Sequence, residues 1–244
     1  MGEFDMEIEK KNIQVADGST IYFEVSGSGR PLFLLHGNGS SSDYFKNQRA
    51  AFSRYFTVYA IDSRAHGRST NTSTALSFRQ MAQDLKELAD AEQVSSLDIV
   101  GFSDGANLAM VFTSMYAEMV HRLVLNAGNI TFSGVKLRGR LLTYLQYGWF
   151  RILALFSAKA HQRLLIVQLQ LDDIGVTFEQ LTQFTCEVLV IVGKYDIIKR
   201  SHSLGLVQAI PQASFVLISH QGHSFAEKDP ATFNHEVLTF LLKK

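Results

Sequence analysis

The sequence predicts an α/β fold, with a mostly parallel central sheet covered by helices on both faces and antiparallel strands at its amino-terminal edge. Three observations favour this fold. Short continuous apolar runs recur along the chain, and such runs are typical of strands that are buried on both faces. Helical patterns lie between the runs and are joined to them by short connections. A helical segment without clear buried strands interrupts this alternation after the sixth predicted strand.

The predicted strands follow from these runs. Residues 6–15 and 20–25 alternate loosely around Asp17-Gly18, which is a hairpin turn signal, so they predict an antiparallel pair at one edge. The continuous apolar runs that predict the parallel strands are residues 31–35, 55–61, 97–101, 123–125, 188–192 and 215–218.

Two of the predicted helices begin at recognisable caps. Ser77 and Gln80 have the spacing of a capping box, and Phe78, Met81, Leu85 and Leu88 then follow as one apolar stripe. Near the carboxyl end, Asp229-Pro230 provides an N-cap and a first-turn proline for a helix that continues to about Leu242.

Residues 131–183 differ from the rest of the chain. They hold many leucines and aromatic residues at roughly helical spacing, namely Leu141, Leu142, Leu145, Trp149, Ile152, Leu153 and Phe156. Between residues 131 and 170 the basic residues are Lys136, Arg138, Arg140, Arg151, Lys159 and Arg163, and there is no acidic residue. We interpret residues 131–183 as a helical cap inserted into a single core domain that is formed by residues 1–130 and 184–244.

Composition excludes several classes of protein. The 244 residues contain 23 Lys and Arg against 23 Asp and Glu, and a zero net charge argues against a nucleic-acid binder. Cys186 is the single cysteine and cannot form an internal disulfide. Residues 1–6 are acidic and lack the apolar core of a secretory signal. No apolar run reaches about 20 residues, so we expect no stable membrane insertion and a cytoplasmic location.

The strongest chemical signal is residues 101–105, Gly-Phe-Ser-Asp-Gly, which have the form G-x-S-x-G. They follow a buried strand and open a helical pattern. A serine on such a sharp turn needs very small neighbours two residues away, and the helix amino end directs backbone donors at developing negative charge. The motif alone is weak, but its position between a strand and a helix predicts Ser103 as a nucleophile.

The chain resembles the α/β-hydrolase-fold superfamily from about Ile13 to Leu242, and within it a serine esterase or lactonase with a small helical cap. The marks of this resemblance are His36-Gly37 after an apolar strand, residues 62–69, the serine turn, an acid after a late strand and a Gly-His near the end. The order of nucleophile, acid and histidine is the order of that family.

The resemblance implies a catalytic triad of Ser103, Asp196 and His223. The loop around His223 matches the family's Gly-His loop, and His220 is the competing base. Asp196 follows the strand at residues 188–192, whereas residues 126–129, the other position used in the family, contain no acid. We expect His36 and His66 to hold loops beneath the site. We expect His121, His161, His202 and His235 to face solvent.

The resemblance also implies an oxyanion hole formed by the backbone N–H groups of Asp104 and Asn38, with Gly39 as the second choice for the latter. We expect the Asp104 side chain to complement the helix dipole rather than to contact substrate. Phe102 and Trp149 are the predicted substrate-binding residues.

These residues predict a serine hydrolase that cleaves carboxylic esters through an acyl-enzyme. The apolar cap favours a small-molecule substrate with an apolar acyl group, and we expect a monomer or homodimer. The sequence has no zinc-type spacing such as H-E-x-x-H, so we expect neither a metal nor a cofactor.

Several alternatives stay open. Residues 36–42 are similar to the loop of metal-free acyl-homoserine lactonases of this fold, so a lactone hydrolase is one of them. A carbon–carbon bond hydrolase is another, and a non-hydrolytic receptor, lyase or cofactor-free oxygenase is a third. We expect the basic residues of the cap to extend from the solvent face of amphipathic helices. They could instead hold an anionic substrate group or dock on a membrane surface or a partner.

Overall fold

The computed structural model describes residues 7–243, and a central eight-stranded sheet organises this part of the chain. Its strands are β1 (Ile8–Gln14), β2 (Thr20–Ser26), β3 (Arg30–Leu35), β4 (Phe56–Ile61), β5 (Leu97–Phe102), β6 (Val120–Asn126), β7 (Glu187–Gly193) and β8 (Ala213–Ile218). They lie in the order β1-β2-β4-β3-β5-β6-β7-β8. The pairs β1-β2 and β2-β4 are antiparallel and the others are parallel. The predicted mostly parallel sheet with an antiparallel amino-terminal edge is therefore confirmed.

Helices cover both faces of this sheet. They are α1 (Lys46–Phe52), α2 (Phe78–Ala91), α3 (Asp104–Met115), α4 (Leu137–Leu153), α5 (Ala158–Leu169), α6 (Phe178–Leu181), α7 (Arg200–Ala209), α8 (Phe225–Lys228) and α9 (Pro230–Leu241). Both predicted N-caps are present: Ser77 Oγ accepts a hydrogen bond from Gln80 N, and Asp229 Oδ1 accepts one from Thr232 N. The reciprocal half of the predicted capping box is not formed, because the Gln80 side chain donates to Asp17 instead.

The core consists of two buried clusters, one on each face of the sheet. Alternation along β3 shows the division, since Phe33 and Leu35 pack in the cluster with α2, α3 and α7, whereas Leu32 and Leu34 pack in the cluster with α1, α8 and α9. Because both faces are covered, the central strands are apolar at nearly every position. This burial holds the carboxyl ends of the parallel strands at one rigid edge.

The inserted segment contains α4, α5 and α6, between β6 and β7, as the sequence predicts. The apolar stripe of α4 is turned toward solvent. Leu141, Leu145 and Ile152 are exposed, and Thr143 is the one residue of α4 that is buried. In the part of the chain that the structure describes, no helix is both long and apolar enough to cross a bilayer.

Cys186 lies just before β7 and is buried in the core. Burial raises the pKa of its thiol to about 11, so the thiol is fully protonated at neutral pH.

Candidate active site

Ser103 lies on the tight turn between β5 and α3. Its φ of 53° and ψ of −119° are backbone angles that L-residues rarely adopt. The turn depends on two glycines, because a Cβ at Gly105 would overlap the carbonyl oxygen of Leu35 and a Cβ at Gly101 would overlap that of Gly105. The G-x-S-x-G spacing is therefore a packing requirement that lifts the serine hydroxyl above the sheet edge.

His223 and Asp196 come from the loops after β8 and β7 and meet Ser103 at this edge. The distance from His223 Nε2 to Ser103 Oγ is 3.0 Å, and that from His223 Nδ1 to Asp196 Oδ1 is 2.8 Å. The backbone N–H of Ile198 also donates to Asp196 Oδ1, at 2.9 Å, which fixes the buried carboxylate. The competing base, His220, is exposed and forms no part of this chain of hydrogen bonds.

His36 connects two loops beneath the site, as expected from the sequence. Its Nδ1 is 2.8 Å from the Gly37 carbonyl, and its Nε2 accepts a hydrogen bond from Ser63 N at 3.0 Å. His66 is buried next to it and bonds within its own loop, with its Nδ1 2.8 Å from the Arg64 carbonyl. Burial lowers the pKa of His36, and it lowers that of His66 to about 4, so both rings are neutral at physiological pH.

The other histidines of the sequence analysis divide into two groups. His121, His161 and His235 are exposed, as expected. The expectation was wrong for His202, which is half-buried because its Nε2 accepts a hydrogen bond from Ile130 N.

Asn38 connects three parts of the molecule through its side chain. Its Nδ2 donates to Asp104 Oδ2 at 2.8 Å and to the Ile166 carbonyl of α5 at 2.7 Å. Within residues 7–243, the backbone N–H groups of Asn38 and Asp104 donate to no protein acceptor. Both N–H groups are therefore free of protein acceptors, and the Asn38 side chain connects its loop to Asp104 and to α5.

The Asp104 side chain does more than complement the dipole of α3. Its carboxylate accepts hydrogen bonds from Asn38 and, at 3.1 Å, from Asn107 Nδ2 one turn along the helix. Burial raises the pKa of this carboxyl group to about 6, against the opposing effect of these two hydrogen bonds. The sequence analysis did not identify Asn107, although its i+3 spacing from Asp104 could have suggested the contact.

A cavity of about 430 Å³ opens above Ser103. Phe102 forms one wall, because its ring stacks on Tyr44 at 4.3 Å between centroids and lies 4.9 Å from the His223 ring. Trp149, the other predicted substrate-binding residue, is 61% exposed and does not line this cavity. The structure therefore brings Phe102 to the site and leaves Trp149 away from it.

Helix α4 contributes a different set of residues to the cavity. Gly139, Leu142, Thr143 and Gln146 line it, with Gln170 after α5. Their spacing is that of one helical face, but the sequence analysis missed them because this face is mixed in polarity. Tyr44 was missed as well, since nothing in its local sequence distinguishes it.

A wider cleft of about 680 Å³ lies beside this cavity and shares Ser40, Tyr44 and Glu227 with it. Ser103 does not line this larger cleft, so we assign the chemistry to the smaller cavity. Within residues 7–243, no three His, Cys, Asp or Glu side chains are grouped as ligands for a metal ion.

Comparisons with known proteins agree with this architecture. The family model of the alpha/beta hydrolase fold matches residues 30–175, which is more than half of the chain. The uncharacterized protein Rv2715 of Mycobacterium tuberculosis is 33% identical over 110 residues, and the match covers 45% of this chain and 32% of that protein. The match thus spans about a third of the length of this curated relative.

Two solved structures extend the likeness to almost the whole chain. Carboxylesterase CesB of Bacillus subtilis has a TM-score of 0.78 at 20% identity, covering 98% of this chain and 93% of its own. Est816, an N-acyl homoserine lactone degrading enzyme, has a TM-score of 0.80 at 21% identity, covering 94% of this chain and 100% of its own. At these identities the likeness concerns the fold. Together with the match to the family model, it means that the chain belongs to the alpha/beta hydrolase fold family.

Proposed function

We propose that this protein is a serine hydrolase that cleaves carboxylic esters of small molecules through an acyl-enzyme on Ser103. The observation that carries the proposal is the continuous hydrogen-bond chain from Ser103 through His223 to Asp196, at 3.0 Å and 2.8 Å, at the base of a cavity. A serine hydroxyl is a weak nucleophile until an adjacent base accepts its proton, and this chain of contacts supplies that base.

In the first half-reaction, Ser103 Oγ attacks the acyl carbon of the ester while His223 Nε2 takes the hydroxyl proton. The N–H groups of Asn38 and Asp104 stabilise the negative oxygen of the tetrahedral intermediate. Asp196 stabilises the imidazolium ion without taking its proton. Collapse of the intermediate breaks the bond to the alcohol oxygen, and the alcohol leaves with the proton from His223.

In the second half-reaction, water attacks the acyl carbon and gives its proton to the same Nε2. The new tetrahedral intermediate releases a carboxylic acid, and Ser103 Oγ recovers its proton. One ester and one water thus become one acid and one alcohol, with no metal or cofactor in the sequence of steps. We also propose that the enzyme is cytoplasmic and that it is either a monomer or a homodimer.

The cavity lining supports a small substrate with an apolar acyl group. Phe102, Phe132 and Leu142 provide apolar surface, whereas Gln146 and Gln170 provide amide groups on the cap side. Gln170 Oε1 already accepts a hydrogen bond from Thr143 Oγ1 at 3.3 Å, but a purely aliphatic acyl chain packed here would offer no partner to the Nε2 of Gln170 or to the Gln146 amide, which costs free energy. We therefore infer a substrate that combines an apolar acyl part with at least one polar group.

A lactone is the second candidate, and the amide-lined side of the cavity favours it. A ring ester undergoes the same attack by Ser103, and the alcohol then stays attached to the acyl group. Est816 degrades N-acyl homoserine lactones, but its likeness to this chain concerns the fold. Gln146 and Gln170 of the cap and Asn129 of the core domain are the polar contacts that would hold a ring substituent.

A fluorophosphonate probe tests the proposal directly. The native protein should be labelled on Ser103, and Ser103→Ala should lose both the label and ester turnover. Turnover on p-nitrophenyl esters, lactones, amides and an acyl ketone would then separate ester, lactone and carbon–carbon bond cleavage. No labelling and no turnover by the folded native protein would overturn the hydrolase and favour a non-hydrolytic binding role.

A further inference from the structure

The outer face of α4 carries its apolar residues toward solvent. We define this outer face as Leu137, Leu141, Leu145, Trp149, Ile152 and Phe156, the last of which follows the helix. The first five recur every three or four positions and so share one side of the helix. All six are exposed, with Leu145 at 63% and Phe156 at 82%.

The opposite side of α4 is the one that contacts the rest of the protein. Thr143 is buried there, and Gly139 and Gln146 line the cavity above Ser103. A helix on an aqueous surface normally turns its apolar stripe inward. In α4 this arrangement is reversed, and contiguous exposed apolar surface of this kind marks a site of interaction.

Exposed charge of one sign accompanies this surface. The six basic residues between positions 131 and 170 have no acidic residue among them, so the remainder of this neutral chain carries an excess of six acidic residues. Arg138 and Arg151 are exposed on α4 itself, whereas Lys159 and Arg163 of α5 line the wider cleft near Gly39. The outer face of α4 is therefore apolar, and the exposed charges of its own helix are the two arginines.

We propose that the outer face of α4 docks reversibly on an anionic lipid surface. Leu137, Leu141 and Leu145 would enter the boundary between headgroups and acyl chains, Trp149 would lie at the headgroup level, and the arginines would contact lipid phosphates. No covalent anchor is needed, because apolar burial and electrostatic attraction together give weak, reversible binding.

A second copy of the chain fits this surface less well. A two-fold dimer through the outer face would place one basic surface against another, which is repulsive. Pairing the face with an acidic region of another copy would be heterologous and would not close into a dimer. An acidic polypeptide would satisfy the arginines, but the six residues of the outer face offer it one hydrogen-bond donor, the Trp149 indole, and no acceptor.

Docking in this orientation has a consequence for the cavity. Leu142 and Gln146 lie on the same helix as the outer face and line the cavity above Ser103. The bound lipid surface would therefore lie against the helix that roofs the cavity. The docking is nevertheless independent of the proposed ester hydrolysis, because it uses none of the residues assigned to that chemistry.

The protein contains its own probe for this test, since Trp149 is the only tryptophan. Its emission should shift to shorter wavelength when vesicles containing phosphatidylglycerol are added, and should change little with vesicles of phosphatidylcholine alone. Added salt should reverse the shift, because the attraction of each basic side chain is screened. Cosedimentation with the same vesicles gives the partition coefficient.

Two charge reversals provide the decisive variant. Arg138→Glu combined with Arg151→Glu should lower the partition coefficient at least about 25-fold, on the basis of about fivefold for each basic side chain. The matched control is Arg54→Glu combined with Arg79→Glu, which changes the net charge equally at exposed positions away from the cap and should leave partitioning within about twofold.

A second variant tests the apolar contribution. Leu141→Gln combined with Leu145→Gln should weaken binding without changing the charge. Thermal unfolding checks that each variant is folded.

Three kinds of result would overturn the proposal. The first is a failed lipid readout, which means either no emission shift with phosphatidylglycerol vesicles or an equal loss of binding in both charge-reversed proteins. The second is a shift without vesicles that grows with protein concentration and accompanies a doubled sedimentation mass, which would make a second copy the occupant. The third is an equal shift with poly-glutamate, which would make the occupant an acidic polypeptide. None of these readouts measures ester turnover, so failure here leaves the proposed function standing.

Discussion

The core side and the cap side of the cavity differ in the direction that their apolar residues face. On the core side, Phe102 packs between Tyr44 and His223, and the strand before it is buried on both faces. On the cap side, α4 directs residues of mixed polarity, Leu142 among them, into the cavity, and it directs Leu137, Leu141 and Leu145 into solvent. Apolar periodicity thus identifies an amphipathic helix, but it does not establish that the apolar side faces the protein.

The core side and the cap side also differ in the interactions that hold them in position. The core side is fixed by backbone packing, as at Gly105, where no Cβ fits. The cap side is attached to the nucleophile region through hydrogen bonds such as that from Asn38 to the Ile166 carbonyl. Substitutions on the core side should therefore be severe, and substitutions on the cap side should be mild or even stabilising.

The largest expected effect is on turnover, at the histidine of the core side. His223→Ala should lower kcat by about 10⁴ or more while the free energy of unfolding changes little, because the residue lies in a loop outside the core. Steady-state kinetics on a p-nitrophenyl ester measures kcat, and urea denaturation measures the free energy of unfolding. The control is His220→Asn, which tolerates the positive φ of that position and should keep full activity. If the control were the inactive variant, the base would be His220.

Substitutions at two glycines, one on each side, compare the core side of the cavity with the cap side. Gly105→Ala should lower the free energy of unfolding by about 3 kcal/mol or more and abolish turnover, since its Cβ overlaps the Leu35 carbonyl oxygen. Gly148→Ala in α4 should raise the free energy of unfolding by about 0.5–1 kcal/mol, because its Cβ meets nothing within 4 Å and alanine favours the helix. Equal effects in urea denaturation would refute the contrast between rigid core and open cap.

The link between the two regions should give a smaller effect. Asn38→Ala removes the hydrogen bonds to Asp104 and Ile166, which hold one proposed oxyanion donor in position. We expect kcat to fall about 10- to 100-fold with little change in KM, since the loss concerns the transition state. Gln168→Ala, at an exposed amide on the same cap helix, is the control and should leave kcat unchanged. A rise in KM alone would mean that Asn38 contacts substrate instead.

The smallest effect concerns the stability of the protein as a function of pH. The pKa of Asp104 is raised to about 6, so the folded protein holds a proton that the unfolded chain releases near pH 4. This contribution to stability is complete below about pH 4 and is lost as the pH rises through about 6. When the pH is raised from 4.5 to 7.5, the free energy of unfolding of Asp104→Asn should therefore increase by about 1–2 kcal/mol relative to that of the native protein. Urea denaturation at the two pH values measures this difference. Asp90→Asn, at an exposed position, should show no such change; a flat difference for Asp104→Asn would refute this assignment.

The sheet was predictable because its strands are buried on both faces. A continuous apolar run such as residues 97–101 has one stable environment, the interior of a parallel sheet, and the structure has β5 there. The positions of Ser103 and Asp196 at one edge of the sheet were predictable because parallel strands end at a common edge, so a polar residue just after a buried run has a known position.

The cap and the side-chain network were not predictable in the same way. Trp149 was predicted to bind substrate but is 61% exposed, because the orientation of α4 depends on contacts distant in sequence. Asn38 and Asp104 are 66 positions apart, and no local pattern relates them. The raised pKa of Asp104 follows from that distant contact and from burial, which a sequence does not specify.

The burial of Cys186 has a practical consequence for studying the cap. A protonated thiol enclosed in the core reacts slowly with alkylating reagents. A cysteine introduced at an exposed site on α4 would consequently be the only accessible thiol in the described chain. Spin labels or fluorophores could then report the movement of this helix, without any need to engineer away a background sulfhydryl.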